Sequence, residues 1–273
     1  MALIVIVLAL LGLCAGSFVN ALVWRLHEQK KSKSKKLSII NGRSMCVHCR
    51  HTLAWYDLIP LFSWLALGGK CRYCKKPISV QYSLVELTSA LVFASSYLWW
   101  PNTVHLNGQW LLLAAWLVSS VGLLALAVYD LRWMLLPNKI IYPTLAVAAA
   151  GRLVYLVVFQ ERPLHSLLLW AFSLLIASGL FFALFFISKG KWIGYGDVRL
   201  GLITGSLLAD PQKSLAMIFL ASLIGTLVIA PALVRGNKNL ASKLPYGPFL
   251  IAATSVLVVF GDSILNWYKG LIT

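Results

Sequence analysis

The stretch IGYGDVRL, residues 193–200, places an aspartate behind two closely spaced glycines and immediately before an apolar run. A carboxylate inside a bilayer costs about 3 kcal/mol or more, so Asp197 needs a partner or a task there. Gly194 and Gly196 permit backbone conformations that other residues avoid, and they let another chain approach closely. The stretch therefore predicts an apolar helix that begins at a polar, functional position.

The composition around this stretch is that of an all-α polytopic membrane protein. Of the 273 residues, 60% are hydrophobic and only 12% are charged, whereas soluble domains are about one quarter charged. This excludes an ordinary cytosolic enzyme. Because a membrane-spanning helix needs about 20 apolar residues, we expect about eight transmembrane helices, near residues 2–24, 83–100, 109–129, 140–158, 166–187, 198–209, 214–234 and 246–267.

Three domains follow from these apolar runs. We expect a first transmembrane helix over residues 1–24, a small loop domain over 25–82, and a seven-helix membrane core over 83–273. The run 198–209 is short, roughly 18 Å as a helix. A helix that starts near Gly194 would be longer and would draw Asp197 into the membrane.

The basic charge is distributed as membrane topology requires. Lys and Arg number 24 against 8 Asp and Glu, and 20 of the basic residues fall in alternate segments at 25–82, 130–139, 188–199 and 235–243. Cytoplasmic loops carry such an excess. The loop 25–82 is therefore predicted to be cytoplasmic, with both termini outside the bacterial cytoplasmic (inner) membrane. The net charge of +16 needs no nucleic acid to explain it.

Two cysteine pairs, CVHC at 46–49 and CRYC at 71–74, lie in the predicted cytoplasmic loop. Paired CxxC knuckles are typical of zinc ribbons, and a reducing cytoplasm disfavours the alternative of disulfides. We expect Zn²⁺ to be held by Cys46, Cys49, Cys71 and Cys74, with His48 and His51 at the surface. Between the pairs, WYDLIPLFSW at 55–64 is suited to lying on the membrane surface or to enclosing a ligand, and Asp57 is suited to capping a turn.

Two acids, Asp130 and Asp197, lie at predicted cytoplasmic ends of transmembrane helices. Two carboxyl groups brought together share a proton, so that one can activate water while the other protonates a carbonyl. This is aspartic protease chemistry. The alternatives are structural: Asp130 could bind Arg132, and Asp197 could pair with Arg199.

Three further features accompany this pair. The segment PYGP at 245–248 opens the last apolar run from the same side. Its Pro245, Gly247 and Pro248 would either frame an active-site cleft or simply start a helix. Glu86 enters the second apolar run, where an ion pair with a basic loop residue is the simpler interpretation. GSFVN at 16–20 favours close helix packing.

In this order, the motifs resemble the type IV prepilin peptidases, the GxGD family of intramembrane aspartic proteases. The resemblance covers almost the whole chain: GSFVN at 16–20, the paired CxxC loop with WYDLIPLFSW, Asp130 with Pro137-Asn138, GYGD at 194–197, and PYGPF at 245–249. Departures are modest. Ala90 stands where many members have glycine, and Arg199 stands where lysine is common.

The resemblance implies two activities. One cleaves the basic leader of prepilins or pseudopilins at the cytoplasmic face, with catalytic aspartates that match Asp130 and Asp197. The other methylates the new N-terminus with S-adenosylmethionine, an activity that the family ties to the cysteine loop; Glu86 matches a family glutamate and is the methyltransferase candidate. The sequence contains no glycine-rich GxGxxG loop that would independently support methylation.

Three other functions compete with this interpretation. A peptidase without methylation would keep the same motifs. A proton-coupled transporter would use intramembrane carboxylates as relays, but it favours acids near the midplane and inverted repeats, which are not evident. A zinc-ribbon scaffold that recruits nucleic acid or proteins would leave Asp130 and Asp197 without a task.

Overall fold

The computed structural model describes residues 1–32, 42–102, 104, 108–234 and 244–272. The basic stretch 30–36 lies outside the described residues from position 33 onward, and so does the predicted cytoplasmic segment 235–243. Regular structure in the described residues is helical, apart from two isolated β-bridges, Met45–Thr52 and Lys70–Pro77. The chain divides into two compact units, Met1–Leu98 and Trp99–Thr273.

The first unit is built on two long helices, α1 (Ala2–Ser32) and α3 (Gln81–Leu98). A Cβ on Gly12 would lie 2.7 Å from the Cα of Ala90, and one on Gly16 would lie 2.5 Å from the Cα of Glu86. Only glycine allows the two backbones to come this close. The packing expected of GSFVN is therefore confirmed at Gly16.

Helix α1 continues beyond the predicted end of the first transmembrane helix at residue 24. Leu26 is buried, and the Arg25 guanidinium donates to the Gly42 carbonyl at 2.8 Å. These contacts support the additional turns. Between α1 and α3 lie a short 3₁₀ helix, Trp55–Leu58, and a one-turn helix α2, Phe62–Ala66.

The second unit contains the remaining helices. They are α4 (Gln109–Trp133), α5 (Asn138–Phe159), α6 (Pro163–Leu174), a π-helical turn (Leu175–Gly179), α7 (Leu180–Ser188), α8 (Tyr195–Leu208), α9 (Pro211–Val234) and α10 (Gly247–Ile272). Helix α8 has only 14 residues, and it contacts α5, α6, α7, α9, α10 and the π-turn. It is the buried centre of this unit.

Six helices in the described part of the chain are long and apolar enough to cross a membrane. They are Ala2–Lys30, Gln109–Trp133, Asn138–Phe159, Pro163–Ser188, Pro211–Pro231 and Gly247–Leu271. The protein is thus a multi-pass membrane protein. The predicted runs 83–100 and 198–209 also form helices, α3 and α8, but α3 carries Glu86 and several serines and α8 has only 14 residues. Eight membrane spans therefore stay a prediction.

Candidate active site and metal centre

The two predicted catalytic aspartates lie on separate helices of the second unit, α4 and α8, and both helices approach Gly247 closely. Asp130 is in the last turn of α4 and is 6% exposed. Asp197 is in the first turn of α8 and is partly buried. An acid in the first turn is favoured by the helix dipole, so local structure alone accommodates Asp197, whereas Asp130 requires partners from other helices.

Gly194 and Asp197 form a reciprocal turn that fixes the start of α8. The Gly194 N–H donates to Oδ2 of Asp197 at 3.3 Å, and the Asp197 N–H donates to the Gly194 carbonyl at 3.1 Å. This arrangement is the capping pattern in which a third-position acid reaches back to the residue before the helix. Asp197 therefore holds its own helix start, with the side chain kept at the edge of the unit.

Gly247 brings the start of α10 against Asp130. Its N–H is a hydrogen-bond donor to the Asp130 carboxylate, and a Cβ at this position would lie 2.7 Å from Oδ2 of Asp130 and 3.6 Å from a methyl of Leu200. Helix α10 begins at Gly247 with Pro248 as its second residue, so the helix-start interpretation of PYGP is confirmed. The same glycine also lies against Asp130, and the alternative that this segment frames an active-site cleft stays a prediction.

Two further contacts tie the GxGD stretch to its surroundings. A Cβ on Gly196 would lie 3.0 Å from a methyl of Leu136, in the α4–α5 connection. The Arg199 guanidinium donates to Oδ1 of Asn138 and lies over the Tyr195 ring at 4.5 Å. Arg199 thus binds Asn138, where the sequence suggested Asp197 as an alternative partner. The Asp197 carboxylate accepts instead from the Gly194 amide.

The π-turn holds the other side of α8. The Ser178 hydroxyl donates to the Val198 carbonyl at 2.8 Å, one residue after Asp197. Gly201 lies so close that a Cβ would be 2.2 Å from the Ala177 carbonyl oxygen. π-Turns often occur at functional sites because they shift the helix register locally. Ser178 is not predictable from the sequence, since a single serine in an apolar run carries no signal of its partner.

The four predicted metal ligands come together in the first unit. The sulfur atoms of Cys46, Cys49, Cys71 and Cys74 all lie within 4.8 Å of one another, and those of Cys46 and Cys74 are 3.9 Å apart. Four thiolates arranged tetrahedrally around zinc at 2.3 Å would be separated by about 3.8 Å. The cluster therefore fits a single tetrahedral metal ion.

The two knuckles repeat one backbone pattern. In each, the first cysteine amide donates at 2.9 Å to the carbonyl five residues later, His51 or Lys76. The residue after the second cysteine, Arg50 or Lys75, has a φ of about 60° and donates to the first cysteine carbonyl at 3.0 Å. Each knuckle thus closes on itself. His48 and His51 are exposed, as predicted.

The thiol electrostatics favour a cation at the centre. Burial raises the pKa of Cys46, but the Cys49 and His48 amides outweigh this effect and lower it to about 7. At Cys74 the Lys76 amide lowers the pKa, while burial and the three neighbouring thiols raise it to about 11. Four adjacent thiols cannot all ionise cheaply on their own. A bound divalent ion would reverse this cost.

Asp57 closes the loop between the knuckles. Its Oδ2 accepts from the Ala54 amide at 3.3 Å, which confirms the predicted turn cap, and from the Tyr73 hydroxyl at 3.0 Å. Its Oδ1 accepts from Arg72 at 2.8 Å. Burial would raise the pKa of Asp57, but the hydrogen bonds from Arg72, Tyr73 and the Ala54 amide together lower it. Asp57 is therefore ionised and joins the Ala54 turn to the second cysteine knuckle.

Glu86 anchors the same loop to α3. Its side chain is buried, and Oε2 accepts from the Leu61 amide at 2.8 Å. Leu61 has φ 63° and ψ −50°, and the Phe62 amide donates to the Pro60 carbonyl at 2.6 Å. This is a strained γ-turn, rare for a residue other than glycine. Glu86 thus stabilises the strained turn at Leu61 through a hydrogen bond, whereas the sequence suggested an ion pair with a basic loop residue.

Two family models match the chain. Residues 10–100 match the Bacterial Peptidase A24 N-terminal domain, and residues 111–230 match the Type IV leader peptidase family. The first covers the cysteine loop and Glu86. The second covers both aspartates and ends before PYGP.

Curated relatives match over nearly the whole chain. Proteins named prepilin leader peptidase/N-methyltransferase are 33% identical in Bacillus subtilis, with 96% of each chain covered, and 31% identical in Aeromonas hydrophila and in Pseudomonas aeruginosa, with 95% of this chain and 91% of each relative covered. No solved structure matches.

Proposed function

The chain belongs to the type IV leader peptidase family, and from that premise we propose that it cleaves the leader of type IV prepilins or pseudopilins with Asp130 and Asp197 as catalytic residues. The observation that carries this proposal is the close packing at Gly247, where a Cβ would lie 2.7 Å from Oδ2 of Asp130 and 3.6 Å from a methyl of Leu200, which is about one turn after Asp197 on α8. Acids in apolar helices are rare and are retained for function. A proton-coupled transporter is not favoured, because the relatives that span the whole chain are named peptidases.

In the proposed reaction, the ionised carboxylate of the pair takes a proton from water as the water oxygen attacks the scissile carbonyl carbon. The protonated carboxyl donates its proton to the carbonyl oxygen. The tetrahedral intermediate then collapses: the C–N bond breaks, the first carboxyl gives its proton to the leaving amine, and the second regains a proton from a hydroxyl of the intermediate. Gly194, Gly196, Pro245, Gly247 and Pro248 would frame the cleft.

The proposed substrate has a basic leader followed by an apolar helix. Such a helix can enter the membrane beside the end of the unit at which Asp130 and Asp197 lie. The leader would then lie at the polar edge, where the ionised member of the Asp130/Asp197 pair supplies local negative charge. No nucleic acid partner is proposed, because the basic loops serve orientation.

We further propose that the chain crosses the inner membrane eight times, with α3 and α8 as the additional spans. The positive-inside distribution supports a cytoplasmic loop 25–82 and outer termini. Helix α8 spans only about 21 Å over its 14 residues. A short span of this kind places Asp197 below the membrane surface instead of in the cytoplasm, which suits an intramembrane protease.

Zinc is the proposed ion of the cysteine cluster, because four closely spaced thiolates in a tetrahedral arrangement are its preferred structural ligands. Cys46, Cys49, Cys71 and Cys74 would hold it. With no open coordination position, the ion would supply folding energy for the loop and no catalytic chemistry.

N-methylation with S-adenosylmethionine is proposed from the names of the relatives alone. Glu86 is the family candidate, but its carboxylate is buried and accepts from the Leu61 amide. These contacts do not form a cofactor site in the described residues, so no step of methyl transfer is assigned to Glu86. A peptidase without methylation is the second candidate function.

The decisive experiment is co-expression of a type IV prepilin with the full-length protein, followed by intact-mass analysis of the pilin. We expect wild type to remove the leader and to add the mass of one methylene group. Asp130→Asn and Asp197→Asn should each reduce cleavage roughly 10²- to 10⁴-fold. Cleavage at the wild-type rate in either variant would reject the catalytic pair.

Asp210→Asn is the matched control. Asp210 lies at the far end of α8 and caps α9, with Oδ1 accepting from the Gln212 and Lys213 amides at 2.7 and 3.0 Å. Asparagine caps a helix as well as aspartate does, so this variant should cleave normally. Leader removal without the added methylene would assign the peptidase-only function.

A further inference from the structure

A polar cavity of about 230 Å³ lies in the second unit, at the end opposite to the aspartates. Its lining includes Gln109, the first residue of α4, and Leu208, the last residue of α8. Asp130 is 21 residues after Gln109 on α4, a distance of roughly 31 Å along the helix. This is about the thickness of the hydrocarbon core. The cavity is therefore a second site at the other membrane edge.

Arg152 of α5 reaches into this cavity and caps α8. Its Nε donates to the Ser206 carbonyl at 3.3 Å, and its Nη2 donates to the Leu207 carbonyl at 2.6 Å. The last carbonyls of α8 have no partners within the helix, and a cation suits the negative end of its dipole. Both bonds use one side of the guanidinium and leave the Nη1 N–H groups for a ligand.

Two more donors face the same space. Lys213 of α9 contacts Asp262 at 2.7 Å, and its ammonium carries further N–H groups. The Tyr155 hydroxyl oxygen accepts from Nε2 of Gln109 at 3.0 Å, which leaves its O–H to donate. The two cations and one carboxylate leave a net charge of +1 in the lining. This arrangement of donors is complementary to a single oxyanion.

The remaining wall of the cavity is apolar, formed in part by Leu112, Trp116 and Leu257. A ligand that matches both walls has an anionic head and an apolar body. At the edge of a bilayer, the ligand of that chemistry is a phospholipid, because arginine matches phosphate oxygens. The net positive charge of the lining favours an anionic headgroup over a zwitterionic one, which carries the same phosphate but adds a cation. We propose that this cavity binds the phosphate of an anionic phospholipid through Arg152, Tyr155 and Lys213.

The test is native mass spectrometry of the full-length protein titrated with phosphatidylglycerol or with phosphatidylcholine of the same acyl chains. We expect specific retention of phosphatidylglycerol. Lys213→Gln and Tyr155→Phe should each weaken it by roughly 5- to 10-fold, since each removes one donor to a charged group. Two variants are used so that a folding defect in one, seen as a lowered melting temperature, leaves the other informative.

Arg162→Gln is the matched control, because Arg162 is an exposed cation at the same end of the molecule and does not line the cavity. It should bind phosphatidylglycerol as wild type does. Equal retention of the two lipids, or equal weakening by Arg162→Gln and Lys213→Gln, would overturn the proposal. Displacement of the lipid by inorganic phosphate alone would also overturn it and assign the site to the free anion. None of these outcomes depends on the proposed peptidase activity.

Discussion

The two cysteine knuckles and the aspartate pair are assembled in opposite ways. Each knuckle closes through hydrogen bonds between residues no more than five apart, and the two knuckles repeat the same backbone turn. The aspartate site instead takes Asp130 from α4, Asp197 from α8 and the Gly247 contact from α10. Local backbone geometry governs the first site, and close helix packing governs the second. We therefore expect substitutions in the knuckles to disrupt the cysteine site alone, and substitutions at helix contacts to disrupt the aspartate site alone.

The largest expected effect is removal of the metal. Cys46→Ser combined with Cys49→Ser should abolish metal binding and unfold the loop, since structural zinc contributes about 10–16 kcal/mol in small domains. Metal content and hydrogen exchange over residues 42–80 measure this loss. Prepilin cleavage should persist, because the aspartates belong to the other compact unit.

His48→Ala is the control for that experiment, because His48 is exposed and should leave the metal content unchanged. If cleavage and metal were lost together in the cysteine variant, the two sites would not be separable.

The next effect is on the packing of the aspartates. Gly247→Ala places a methyl group 2.7 Å from Oδ2 of Asp130, so the carboxylate must move. A displacement of about 1 Å in an active site costs roughly 10²-fold in rate, and we expect cleavage to fall by that factor with the metal content unchanged. Gly270→Ala on the same helix meets no atom within 4 Å and should cleave normally.

A smaller effect is expected from Ser178→Ala, which removes the 2.8 Å hydrogen bond to the Val198 carbonyl next to Asp197. One such bond contributes about 1 kcal/mol, so we expect roughly a 5-fold loss of kcat measured on a purified prepilin. Ser255→Ala is the control, because the hydrogen bond that it removes joins the hydroxyl to the Ile251 carbonyl within α10. An equal loss in both variants would show that Ser178 has no specific role in positioning α8.

The smallest expected effect is on stability, from loss of the ion pair between Asp57 and Arg72 in the cysteine loop. Asp57→Asn breaks the 2.8 Å ion pair with Arg72, whose side chain is 45% exposed. Solvent screens such a pair, so we expect a loss of about 1 kcal/mol in stability of the metal-loaded loop. Thermal unfolding measures it. Glu28→Gln, which breaks the more exposed pair with Arg50 at 3.1 Å, should cost less; a larger cost there would contradict the role of Asp57.

Much of the knuckle unit is predictable because its information is local. The spacing of two CxxC pairs is enough to predict the cluster that the structure shows, and the position of Asp57 before Pro60 is enough to predict the turn cap. The strained turn at Leu61 is not predictable in this way. A leucine with positive φ is unfavourable by itself, and only the carboxylate of Glu86, 25 residues away, stabilises it.

The sequence is enough to predict the class of protein, the apolar runs, the four clustered cysteines and the two acids worth attention. These follow from composition, periodicity and short spacings, which act within one helix or one turn. Only the tertiary structure decided what surrounds each acid: the Gly247 amide at Asp130, and the binding of Arg199 to Asn138 instead of Asp197. The packing of Gly201 against the π-turn was likewise beyond the sequence. The physical reason is that apolar helices pack in many ways with similar burial, and the choice among them depends on close contacts between residues far apart in the chain.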